Sequence, residues 1–79
     1  MMTRTPIEHR YDAVLRGWQL VHFPDGDTLV GRVYDDKRRR FADGRLIMTS
    51  RLRTPRHQVV DGNVVQTRNS RYLLLRAVH

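Results

Sequence analysis

The sequence predicts a mainly β protein, a small and strongly bent antiparallel barrel (SH3-like or OB-like) of five or six strands behind a short N-terminal helix or extended lead-in. Three observations predict it. Turn residues punctuate the chain every eight to twelve positions, and the runs between them are rich in β-branched and aromatic side chains. Gly31 interrupts one such run, as a glycine does where a sheet bulges or curls. The same Gly, Pro and Asp-Gly punctuation excludes a helical bundle.

Over residues 7–16, Ile7, Tyr11, Val14 and Leu15 recur at i, i+4, i+7 and i+8, which is one face of a helix. Thr5 is placed to cap it, Pro6 suits its start, and Gly17 ends it. The alternative is extended chain leading into the first strand. Residues 18–23 and 28–34 read as a hairpin around Pro24-Asp25-Gly26-Asp27, where Pro presets one turn dihedral and Gly supplies a positive φ. Residues 35–44 form a polar loop that Phe41 is expected to anchor. Asp43-Gly44 turns the chain into a third strand, residues 45–50, and Pro55 interrupts any ladder beyond it. Residues 57–67 surround Asp61-Gly62 with valines, the pattern of a tight two-residue hairpin. Residues 71–78 close the fold, and their unbroken leucine run suits a strand covered on both faces. The expected organisation is a single domain, 1–79, with 1–16 as lead-in and 17–79 as barrel.

A length of 79 residues excludes a two-domain enzyme. A chain this short buries only about 60% of the surface its unfolded form exposes, so function is expected on the surface rather than in a deep pocket. With no cysteine, disulfides, thiolate metal sites and cysteine nucleophiles are excluded, which suits a reducing cytoplasm. The longest apolar run, residues 72–75, falls far short of the roughly 20 residues of a membrane span, and no apolar signal core follows Met1. A cytoplasmic protein without a membrane partner is expected.

No spacing dictates a catalytic chemistry. His9, His22, His57 and His79 are dispersed, Asp25 and Asp27 flank Gly26 as turn formers, and neither a nucleophile elbow nor a phosphate-cradling glycine loop occurs. A non-enzymatic protein without cofactor or metal is the expectation. Trp18 reads as a core anchor whose N–H finds an acceptor.

Charge is the informative signal. Residues 1–36 carry four Arg against six acids, a net −2, whereas residues 37–79 carry Lys37 and ten Arg against Asp43 and Asp61, a net +9. Codon usage in a GC-rich genome also produces a high ratio of Arg to Lys, so the weight falls on the clustering. Candidate binding residues are Lys37, Arg38, Arg39 and Arg40 in the loop, with Arg45, Arg51, Arg53, Arg68 and Arg71 expected to join them in one stripe. Stacking candidates are Tyr34, Phe41 and Tyr72, although Phe41 and Tyr72 read more readily as core residues. The leading partner is a nucleic acid or nucleoprotein complex. The competing one is an acidic protein face, with Trp18, Phe41 or residues 73–75 supplying the apolar contact, and homo-oligomerisation through that last strand is a related expectation.

Gly31-Arg32-Val33-Tyr34, Arg40-Phe41-Ala42-Asp43-Gly44, Ile47-Met48-Thr49-Ser50, Asp61-Gly62-Asn63-Val64-Val65 and residues 67–74 resemble short orphan accessory proteins of proteobacterial phages, prophages and plasmids. The resemblance covers about half the chain. It implies a mobile-element protein that binds and redirects a host macromolecule, such as an enzyme or defence complex that it inhibits, and it assigns no catalytic or binding residue.

Overall fold

The computed structural model describes residues 11–76. Five strands, β1 (Ala13–Phe23), β2 (Gly26–Tyr34), β3 (Arg45–Met48), β4 (Val64–Gln66) and β5 (Arg71–Leu75), form one mixed sheet in the order β3-β2-β1-β5-β4. A 3₁₀ turn, Arg56–Gln58, precedes β4.

The β1–β2 hairpin forms where the turn residues place it, with Phe23 facing Gly26 and Val14 facing Tyr34. Between the pairs Arg16–Arg32 and Gln19–Val30, Gly17 and Trp18 together oppose Gly31, so the bulge lies on β1. Gly17 takes a φ of 60° there. Gly31 supplies the clearance, because a Cβ on it would stand 2.8 Å from Leu15 Cγ and 2.9 Å from the Arg16 carbonyl oxygen.

The helix expected over 7–16 needs correction. Residues 7–10 lie outside the described residues, and 13–16 are strand, so the sheet begins before the boundary expected at 17. The reason is position. β1 is central, hydrogen-bonded to β2 on one side and β5 on the other, and it buries Ala13 and Leu15 on one face and Val14 on the other. A strand covered on both faces carries consecutive apolar residues, and here those residues coincide with a helical spacing.

The sheet does not close into a barrel, nor is it wholly antiparallel. β5 runs parallel to β1, from Ala13–Tyr72 to Arg16–Leu75, and the edges are the four-residue β3 and the three-residue β4. Residues 49–54 strap the two ends together. The Thr49 and Leu52 amides donate to the Leu29 and Asp27 carbonyls of β2, and the Arg53 amide donates to the Gln66 carbonyl of β4, each at 2.8 Å. A single bridge, Leu52–Thr67, is all the ladder this strap achieves before Pro55 ends it.

The hairpin expected over 57–67 is also corrected. The turn at Asp61-Gly62 is present, closed by the Asn63 amide on the Val60 carbonyl, but the residues before it are a 3₁₀ turn and a loop that sinks Val59 into the core. After the turn, β4 pairs with β5 instead, Val64 facing Leu73. Trp18 is buried as expected, its Nε1–H donating to Asp61 Oδ1 at 3.2 Å. It packs with Ala13, Leu15, Leu29, Val33, Val65, Tyr72 and Leu74, and Phe41 and Leu52 close the core from the loop and the strap. Among the described residues no helix is long and apolar enough to cross a membrane.

Candidate functional site

The β4–β5 turn is where the late cations meet. Thr67 and Ser70, both buried, fix it: the Thr67 hydroxyl donates to the Ser70 carbonyl at 3.0 Å and accepts from the Ser70 amide at 3.1 Å. Arg68 and Asn69 are left exposed at its tip. Three other segments bring cations to this turn. From the loop, Arg38 Nη1 donates to the Asn69 carbonyl at 2.9 Å and to Ser70 Oγ at 3.1 Å, and Arg40 Nη1 also bonds Ser70 Oγ. From the strap, the Arg51 carbonyl accepts the Arg68 amide and Ser50 Oγ accepts the Asn69 amide, while Arg53 stands beside Gln66. From β5, Arg71 Nε donates to Gln66 Oε1 at 3.0 Å. Lys37 is tied in through Asp12, whose carbonyl accepts the Lys37 amide and whose carboxylate accepts the Arg71 amide.

Eight of the nine candidates are therefore linked into one region, Arg39 through its amide on the Asp36 carbonyl at 3.0 Å. Arg45 is not, since it starts the edge strand β3 at the side of the sheet opposite β4.

The cations are not equally available. Arg40, a candidate binding residue of the loop, pairs at 3.1 Å with Asp36, whose side chain is 1% exposed. Asp36 is the hub of the loop, also accepting the amides of Arg38, Arg40 and Phe41. Burial pushes its carboxyl up, but the bonds from Arg40 and these amides outweigh that and hold it below the ordinary aspartate value. Burial likewise works against the Arg40 charge, and Asp36 more than restores it. Arg40 is thus a structural ion. Arg51 pairs with Asp25, an exposed pair of small worth, and Lys37 Nζ sits 3.9 Å from the centre of the Tyr11 ring. Arg39, Arg53 and Arg68 are exposed, and their side chains have no hydrogen-bond or ion-pair partner among the described residues.

None of the three stacking candidates is open: Tyr72 is core and Phe41 packs on the core beneath the Arg40 guanidinium, as their core reading had it, and half-buried Tyr34 lies under Arg16. Among the described Phe, Tyr and Trp residues the exposed one is Phe23, at 43%, which with Arg51 and Arg68 lines a cleft of about 530 Å³. Its signal in the sequence was its place at a strand end, immediately before a turn. Among the described residues no group of three His, Cys, Asp or Glu side chains is placed to hold a metal ion. No protein-family model matches the chain, and no curated protein or solved structure matches it either.

Proposed function

We propose that this is a non-enzymatic binding module that holds nucleic acid on the basic surface around the β4–β5 turn. The observation that carries the reading is convergence: cations from the loop, the strap and β5 are anchored to residues 66–71, and Arg53 and Arg68 are exposed there with no acidic partner among the described residues. Like charges gathered on one surface repel one another, and a phosphate backbone relieves that repulsion while releasing its own counterions. Arginine suits the task, because its planar fork grips phosphate oxygens in pairs. Binding of a labelled mixed-sequence oligonucleotide, followed by anisotropy at low and moderate salt, tests the reading. Affinity falling steeply with salt supports it, and affinity indifferent to salt ends it.

A second reading has its own observation. Leu46 and Met48 are 59% and 57% exposed on β3, an edge strand, which favours docking of a protein partner by sheet extension. This is the host-inhibiting regulator that the resemblance to mobile-element proteins implies. A stoichiometric protein partner that survives nuclease treatment of a host lysate would favour it over the nucleic-acid reading.

A further inference from the structure

We propose that the cleft between the β1–β2 turn and the strap seats one unpaired nucleotide of a single strand, its base on Phe23 and its phosphate on Arg51 and Arg68. The proposal rests on the nucleic-acid reading and adds to it the strandedness of the partner and a defined seat.

Three features of the cleft point the same way. Phe23 offers an open aromatic face at one wall, and stacking on such a face tolerates any base. Arg68 lines the cleft with no partner for its side chain among the described residues, and Arg51, which lines it too, passes close to Gly26, where a Cβ would stand 2.9 Å from the Arg51 side-chain Cδ. Gly26 also has a φ of 145°, a conformation other residues rarely adopt. A side chain at this turn would displace Arg51 from its present course.

The third feature is a hydroxyl with nothing to bond. Thr28 lines the cleft, is only 7% exposed, and its Oγ1, itself closed to solvent, has no hydrogen-bond partner among the described residues. Its neighbours are committed: Thr49 Oγ1 accepts the Leu29 amide and donates to the Ser50 carbonyl, and Ser50 Oγ accepts the Asn69 amide. Buried polar groups are normally bonded, and rotation of the Thr28 side chain toward the cleft would let a ligand atom complete the set. The Ser50 hydroxyl proton is also free of any acceptor within the described residues. A volume of about 530 Å³ lies within the usual range for small-ligand sites and exceeds what a lone phosphate needs. A base inside a duplex is stacked on both sides and presents no face to Phe23, so the seat selects an unpaired nucleotide. Asp25, paired with Arg51 at the rim, opposes an incoming phosphate and competes for the same guanidinium.

Affinities of the full chain for an oligothymidylate of about 12 nucleotides and for a duplex of equal length test the proposal, with Phe23→Leu, Asp25→Asn and Thr28→Val as variants. Wild type should favour the single strand. Phe23→Leu should lower the ratio of single-strand to duplex affinity roughly fivefold or more, since that is the least a stacked base contributes. Asp25→Asn should tighten single-strand binding roughly two- to fivefold, the worth of an exposed ion pair. Thr28→Val should raise the melting temperature by removing an orphan hydroxyl and yet weaken single-strand binding. If wild type binds both forms and Phe23→Leu leaves their ratio unchanged, the seat is overturned while the basic surface stands. If wild type binds neither at low salt, both fall.

Discussion

Gly31 and Asp36 each hold their surroundings in place through a few close contacts. At Gly31, Leu15 Cγ and the Arg16 carbonyl oxygen leave no room for a methyl group, because the β1 bulge presses against it. Gly31→Ala should therefore destabilise the fold by about 1–3 kcal/mol, the usual cost of overpacking, as read by urea denaturation. Asp36 ties the loop that delivers Arg38 to the β4–β5 turn. Its folded pKa lies below the ordinary 3.8, so its contribution is fully present above that value and is lost as pH falls through the folded pKa. Half-buried Asp27, held low by the hydrogen bond from His22 and then by Arg56, which together outweigh its partial burial, acts in the same direction. Asp36→Asn should cost about 2–3 kcal/mol at neutral pH, less than a fully buried pair because Arg40 remains partly hydrated. It should also flatten the loss of stability below pH 4, checked by denaturation across an acid series.

At the level of elements, one clamp joins three of them. Asp61, in the turn before β4, accepts both the Trp18 indole N–H of β1 and the Arg76 amide beyond β5, and the Arg76 guanidinium lies 4.0 Å from the centre of the Trp18 ring. Asp61→Ala removes a charged acceptor from both donors and should lower stability by about 1.5–3 kcal/mol. Trp18 emission should shift to the red as the clamp loosens. The β1–β2 hairpin was legible in the sequence because Pro24, Asp25 and Gly26 determine it locally, as were the starts of β3 and β5. The parallel pairing of β1 with β5 was not, since it joins residues about sixty apart and no local signal encodes it. Asp61-Gly62 did specify a turn, but the valines on either side went to different partners, Val59 to the core and Val64 to the sheet opposite Leu73. Residues 7–16 misled for a related reason: the spacing of Val14 and Leu15 fits a helix face and a doubly covered strand equally.

For the whole molecule, the strap returns residues 49–54 to the β4–β5 turn, while Arg40, Arg51 and Arg56 of the basic half pair with Asp36, Asp25 and Asp27 of the acidic half. The sequence held no sign that Asp36 would bury itself against Arg40, nor that Arg45 would start the opposite edge. Phe23 escaped notice because its exposure depends on the bend of the hairpin end over the strap. Twin salt titrations test the central claim most directly: the slope of log affinity against log salt, for wild type, for the double variant Arg53→Ala/Arg68→Ala and for Arg45→Ala. Each lost phosphate contact on a single strand should reduce the slope by about 0.7, so the double variant should lose about 1.4 while Arg45→Ala changes it little. An equal loss from Arg45→Ala, or a double variant with the wild-type slope, would show that the surface around the β4–β5 turn is not what the polyanion contacts.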